Sequence, residues 1–434
     1  MTRWSLILFF AFVGCDSPPT YHQDIAPLLN GRCVSCHQAG GIGPFVLDSY
    51  EAAAPLAAMI AGSVASRRMP PWGAAAGHRA YLDDPSLSDA QIALFQAWAD
   101  ADAPKGDAQE PAEPLAIVGS GLSRSDLELK MVEAYAPTKF PDDYRCFVLD
   151  WPEQALTHVT GFAAHPGNQK IVHHIAVYLV GPDTPLGEGA FDKLRAFDAH
   201  DEGPGYTCYG GPSGHEDLGI PIQQVAQWVP GASGWDFPEG TGIAVQPGSK
   251  LVLQLHYNTA NPNPQPDQTS IAFRLEPQVE RRAAFAPWLD LSWVLGQMNI
   301  PAGEPDVIHS IQDDPRSFFD FLGGGVDVSE GFRVHAVLLH MHKRGHAGQV
   351  TIVRADGGEE ILLEEPRYDF NWQQIYRFAQ PIDFSPGDEL ALTCRWDNTA
   401  SNQAPGVEPI DLSWGEGSGQ EMCVANLYIS EHQP

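Results

Sequence analysis

The chain has 434 residues, enough for two or three domains that each bury a core. Its net charge of −30, from 25 basic and 55 acidic residues, argues against nucleic acid and anionic membrane surfaces as partners, because both need basic patches. With 42 glycines and 37 prolines, and apolar residues in short runs between turn signals, the composition favours β-sandwiches over helical bundles.

Residues 1–15 read as a targeting segment. Arg3 supplies the charged start and Trp4–Val13 an apolar stretch of ten residues, too short to span a bilayer. Val13-Gly14-Cys15 resembles the end of a bacterial lipobox, with Phe12 where leucine is usual. Lipidation of Cys15 is the expectation, and with it a lipid anchor; plain secretion is the alternative. Either route puts the mature protein in the periplasm or at the cell surface, where disulfides persist.

Cys33-Val34-Ser35-Cys36-His37 is the CxxCH pattern of covalent c-type haem attachment. Two thiols suit thioether bonds to the haem vinyls, and His37 is placed as the proximal iron ligand. The rival is half a zinc site, but no second CxxC follows within reach. Two helices are expected to enclose the haem, an Ala-rich one over 50–69 and a second over 88–104. The second opens with Ser88 and Gln91 at capping-box spacing and carries Ile92, Phe95 and Trp98 on one stripe. Met69, just before Pro70-Pro71, is the best-placed second axial ligand, and a thioether there would raise the reduction potential. Met59 is the weaker candidate, read as core. A small all-α cytochrome c-like domain over 16–105 follows, then a Pro-, Ala- and acid-rich linker over 106–124.

From about 125 onward the pattern is strands and turns. The stretches 246–264 and 385–403 resemble each other: Pro-Gly, two polar residues, an alternating strand, then Asn-Thr-Ala and another Asn. Two related antiparallel β-sandwich domains are expected, over 125–278 and 279–434. Cys146, Cys208, Cys394 and Cys423 allow three pairings, and the residues alone leave the choice open. Pairing within each half is the economical one; free buried thiols are the alternative.

The histidine motifs carry the chemistry. His173 and His174 are adjacent, and neighbours on a flat strand point oppositely, so they share a metal only at a twist or bulge. His256 shares its strand face with Gln254 and Asn258, while Leu251, Leu253, Leu255 and Tyr257 take the other. His340 and His342, two apart in a predicted strand, project from one side, and Met422 lies beside Cys423. Two imidazoles and a thioether form a soft, mixed set that suits copper; zinc prefers thiolate, carboxylate or a third imidazole. Among the other histidines, His165, His335 and His346 lie near the motifs as candidates to orient ligands.

The order HH, Gln-x-His, HxH, Met-Cys resembles the copper type II ascorbate-dependent monooxygenases over roughly 125–434. The resemblance implies two jelly-roll sandwiches with their coppers facing across a wet cleft. It implies one copper on His173, His174 and His256, and a second on His340, His342 and Met422. It also implies that Gln254 lies near the first site and Tyr144 near the active-site cleft, both in catalytic positions, and it favours disulfides Cys146–Cys208 and Cys394–Cys423. Leu338 departs from the arginine that anchors a substrate carboxylate in peptide-hydroxylating members, and "MCVANLY" is two residues longer than expected, which leaves the match of Tyr428 open.

The expected function is an exported copper-dependent monooxygenase that hydroxylates an activated C–H bond of a small organic substrate with O2. Its electrons would come from a periplasmic donor, an ascorbate-like reductant or a cytochrome, relayed by the haem. A non-catalytic periplasmic haem/copper electron-transfer or copper-binding protein would keep every ligand and is the alternative.

Overall fold

Leu251, Leu253, Leu255 and Tyr257 alternate with polar residues, and the strand they predict forms as Lys250–Asn258. The computed structural model describes residues 17–39, 41, 43–108, 121–182, 189–209, 211–212, 223–230, 232, 234–259, 263–322, 324–415 and 417–432. The targeting segment with Cys15 and most of the expected linker lie outside the described residues. Among them no helix is long and apolar enough to cross a membrane.

The described residues fall into two compact units. The first, drawn from 17–39, 43–70 and 85–108, is helical and strand-free among its described residues. Its core gathers Tyr21, Ile25, Leu28, Leu29, Ile60, Val64, Phe95 and Trp98. Asp89–Asp100 forms with Ser88 and Gln91 closing a reciprocal capping box, and Phe95 and Trp98 are buried on one stripe. The expected helix over 50–69 is instead broken: Tyr50–Ala53, a 3-10 turn Ala54–Leu56, then Ala57–Ala65. Pro55, with no amide hydrogen, interrupts the ladder. Met59 is 53% exposed on that last helix, so its core reading is overturned.

The second unit is drawn, among the described residues, from 41, 71–84 and 121–432. A five-stranded sheet runs in the order Tyr206–Thr207, Asp142–Asp150, Lys250–Asn258, Val172–Val180, Gln223–Trp228. A four-stranded sheet runs Val307–Asp313, Glu389–Trp396, Gly345–Val353, Glu359–Glu365. Both halves contribute to a third, nine-stranded sheet, joined where Arg281–Trp288 pairs in parallel with Thr241–Val245. One core fills the first half around Leu251, Leu253, Leu255, Tyr257 and Phe273; another fills the second around Leu390, Leu392, Trp396 and Phe384. The two Pro-Gly stretches occupy equivalent places, each turning on a glycine at positive φ, Gly248 and Gly387, into Lys250–Asn258 and Glu389–Trp396. Disulfides join Cys146 to Cys208 and Cys394 to Cys423.

Residues 71–84 run along the outer strand of the nine-stranded sheet, Tyr376–Phe384, and cover its free edge. Leu82 N donates to Arg377 O (2.7 Å), Ala379 N to Ala80 O (3.0 Å), and Trp72 and Tyr81 pack on the Tyr376 ring. The Tyr376 hydroxyl donates to Glu365 (2.5 Å) and accepts from Gly73 N (3.2 Å). A Cβ at Gly73 would strike both side chains, so the close approach requires glycine.

Burial pushes the Glu365 carboxyl up to about 7 against the Tyr376 hydrogen bond. An acid with a raised folded pKa contributes fully below its unfolded value and loses that contribution as pH rises through the folded one. Glu365→Gln keeps the acceptor and removes the titration. It is expected to match the wild type near pH 4 and to be more stable at pH 8, by roughly 3 kcal/mol at 1.4 per pKa unit. Denaturant midpoints at the two pH values check this.

Candidate metal centres

The first cluster is built by a register shift. Opposite Lys250–Asn258, Val172 pairs with Tyr257 and His174 with His256, so His173 is an extra residue in its strand. Such a bulge brings two adjacent side chains to one side. His173 Nδ1 lies 3.3 Å from His174 Nδ1, which lies 3.4 Å from His256 Nδ1. Three ring nitrogens this close cannot all carry hydrogens pointing inward, so the set presents lone pairs to one centre. Imidazole nitrogens about 2.0–2.1 Å from one ion stand about 3–4 Å apart, according to the bond angle; two of the three pairs meet this and all three ligand atoms lie within 4.8 Å of one another, which suits a shared metal.

The rings are held from behind. His256 is fully buried, and its Nε2 donates to Asp142 Oδ1 (2.9 Å), which leaves Nδ1 as the ligand atom. Tyr144, paired with His256 on the neighbouring strand, stacks on it at 4.1 Å and 6°. Gln254, two residues before His256, makes its hydrogen bonds away from the imidazoles: Nε2 donates to Cys208 O (2.7 Å) and Oε1 accepts from Tyr178 (3.4 Å). Burial drives His173 down to about 3, helped by the neighbouring His256 charge, and drives His174 well below its ordinary value. Burial also lowers His256, against the pull of Asp142. All three are neutral at pH 7. Burial alone would raise Asp142, but hydrogen bonds from His256 and Asn258 hold it well below the carboxylate range.

The second cluster sits where a strand ends. The strand Phe332–His340 stops at His340, so His342 lies beyond it, short of the sequence expectation of one continuous strand. The two rings nevertheless meet edge to face, 5.1 Å apart at 84°, with Met341 buried in the core. His340 Nδ1 donates to Gln373 Oε1, and His342 Nδ1 donates to Gln420 O (3.2 Å); each is left with a free Nε2. Glu421 accepts from the main chain of His342 (2.9 Å) and Arg344 (2.6 Å) and from the Trp396 indole (2.9 Å). It thereby ties the HxH turn to the residue preceding Met422. Burial lowers His342 to about 3 and lowers His340 against its Gln373 bond.

One cavity of about 290 Å3 takes lining from both clusters: His174, Tyr144 and Gln254 from the first half, His340, His342 and Met422 from the second. Phe370 stacks on His173 at 5.3 Å and stands edge-on to His342 at 6.0 Å, so one ring touches both clusters. Leu338 also lines the cavity, whereas Tyr428 is fully buried elsewhere with its hydroxyl against Thr241.

The orienting groups are not the histidines expected from their position. His335 bonds Ser430 (2.8 Å), His346 faces Asp306 (3.3 Å), and His165 is exposed at a strand end. Asp142, Gln373, Gln420 and Phe370 do that work, and sequence reading missed them. Asp142 alone carried a signal, two residues before Tyr144 on the face that meets His256.

Residues 127–264 match the N-terminal domain, and 326–432 the C-terminal domain, of the copper type II ascorbate-dependent monooxygenases, together more than half the chain. The chain belongs to this family. It is 23% identical over 265 residues to DBH-like monooxygenase protein 1 of Gallus gallus, covering 60% of this chain and 39% of that protein. It is 25% identical over 297 residues to dopamine beta-hydroxylase of Canis lupus familiaris, covering 67% and 41%, and 24% identical over 358 residues to that of Homo sapiens, covering 74% and 52%. The chain thus spans between about two fifths and one half of the length of these relatives.

If Gln373 fixes the His340 tautomer, Gln373→Leu lowers copper affinity at the second cluster roughly 10–100-fold and leaves the first at its wild-type value. His174→Ala is expected to lower the bound copper from two ions per chain to one. Chelator competition and metal analysis check both.

Proposed function

We propose that the protein is an exported copper-dependent monooxygenase hydroxylating an activated C–H bond of a small organic substrate. The observation that carries this reading is a cavity whose lining takes His174 from the all-imidazole cluster and His340, His342 and Met422 from the mixed imidazole–thioether cluster. The reaction consumes O2, two electrons and two protons per C–H bond, and yields the alcohol and water. His173, His174 and His256 would hold one copper, and His340, His342 and Met422 a second. Bound copper supplies single-electron storage and reaction with O2, and the Met422 sulfur favours the reduced ion at the second position.

The chain's own residues do the rest. Neutral, buried imidazoles keep protons from competing for the ligand atoms. Asp142, Gln373 and the Gln420 carbonyl aim the rings. Phe285, Leu338 and Trp414 offer substrate an apolar wall, with Gln224, Asn426 and Tyr178 as neutral polar groups. No Asp, Glu, Lys or Arg lines the cavity among the described residues, and Leu338 offers no anchor for a carboxylate.

The helical unit would add a c-type haem through Cys33, Cys36 and His37, with Met69 as second iron ligand, to relay electrons from a periplasmic donor. Two observations support the fit: Cys33 and Cys36 are unpaired thiols, and His37 Nδ1 is engaged by Phe45 O at 3.0 Å, leaving Nε2 for a metal. An ascorbate-like reductant is the other electron source. Lipidation at Cys15 and a periplasmic or cell-surface location belong to this proposal.

Two outcomes are expected. First, copper-loaded protein consumes O2 in step with a hydroxylated product, and His342→Ala loses this coupling by roughly 100-fold or more while retaining one copper. O2 uptake without copper-dependent product would favour the electron-transfer or copper-storage alternative. Second, protein matured with haem supplied keeps its haem through acid–acetone extraction, and Cys36→Ala weakens that retention. Complete extraction from the wild type would remove the haem from the account.

A further inference from the structure

Asp142 divides its two oxygens between the two halves of the second unit. Oδ1 accepts from His256 Nε2 at 2.9 Å and from Asn258 Nδ2 at 2.7 Å, both on the strand Lys250–Asn258. Oδ2 accepts from Ser418 Oγ at 3.0 Å and has Lys343 Nζ at 3.9 Å. Lys343 follows His342 directly. Ser418 is buried, two residues before the Gln420 whose carbonyl holds His342 Nδ1 and four before Met422. The carboxylate side chain is itself only 17% exposed.

We propose that Asp142 is a positioning residue that couples the two metal sites, setting the tautomer of His256 with one oxygen and fixing the loop behind His342 and Met422 with the other. The proposal rests on the reading of these clusters as copper sites. A carboxylate accepts only, so its bond to His256 requires the proton on Nε2 and leaves the Nδ1 lone pair to the metal. The negative charge behind the ring also makes that nitrogen a stronger donor, which favours the oxidised over the reduced ion. The same group anchors Ser418, so a change in ligation at His256 is passed by one side chain to the segment that aims His342.

The test uses the full chain loaded with copper alone. Asp142→Asn removes the charge and keeps the shape. It is expected to weaken Cu(II) binding at one of the two sites 10–100-fold by chelator competition, and to raise that site's reduction potential. Ser418→Ala is expected to leave Cu(II) affinity at the first site unchanged and to shift or broaden the infrared band of carbon monoxide bound to the reduced second site. An Asp142→Asn protein with wild-type affinities and potential overturns the proposal, and so does a Ser418→Ala protein with an unmoved carbon monoxide band. Because Ser418→Ala reads the tether by itself, the proposal stays testable should Asp142→Asn fail to fold. A wild-type chain that takes up no copper overturns the copper reading and this proposal together. Two coppers in the wild type with unchanged variants overturn only the coupling.

Discussion

One extra residue in one strand organises the first histidine cluster. A regular ladder would send His173 and His174 to opposite faces, and a side-chain period of two leaves no compromise. The bulge opposite Lys250–Asn258 turns both toward His256. The rest follows from holding that geometry. Leu251, Leu253, Leu255 and Tyr257 are locked in the core, which pins the register and turns His256 to the opposite face, toward His174. The Cys146–Cys208 bridge and Gln254 tie the neighbouring segments, and Tyr144 lies flat on the His256 ring.

The second centre is held differently. Its histidines sit at the end of a strand, where the backbone ladder no longer fixes direction. Hydrogen bonds outside the ladder replace it: the buried Glu421 side chain gathers two main-chain amides and an indole, while the Gln373 side chain and the Gln420 main-chain carbonyl fix the two rings. Ligand softness follows from this placement, because Met422 enters from the segment that Glu421 anchors. The nine-stranded sheet gives the two halves a common frame, and Phe370 touches a ring of each cluster.

Much of this was legible in the sequence, for physical reasons. Strand alternation announced the core face of Lys250–Asn258, and the capping box announced the start of Asp89–Asp100. Adjacent histidines called for a bulge, because only a bulge lets them act together. What was hidden depends on contacts between distant segments. Gln373 and Phe370 sit in a loop with no periodic pattern, and nothing local links Asp142 to Ser418. The edge strap 71–84 lies between two helices, so it read as part of a helical domain rather than as cover for Tyr376–Phe384. Met59 misled because an apolar residue in an Ala-rich helix looks like core, and Pro55 breaks that helix before it.

Copper K-edge X-ray absorption on the fully reduced, two-copper protein distinguishes two chemically different copper sites from two alike. Imidazole scattering is expected at both sites, with one sulfur scatterer for every two coppers that is lost in Met422→Leu. Absence of sulfur scattering from the wild type, or its persistence in Met422→Leu, would contradict this difference.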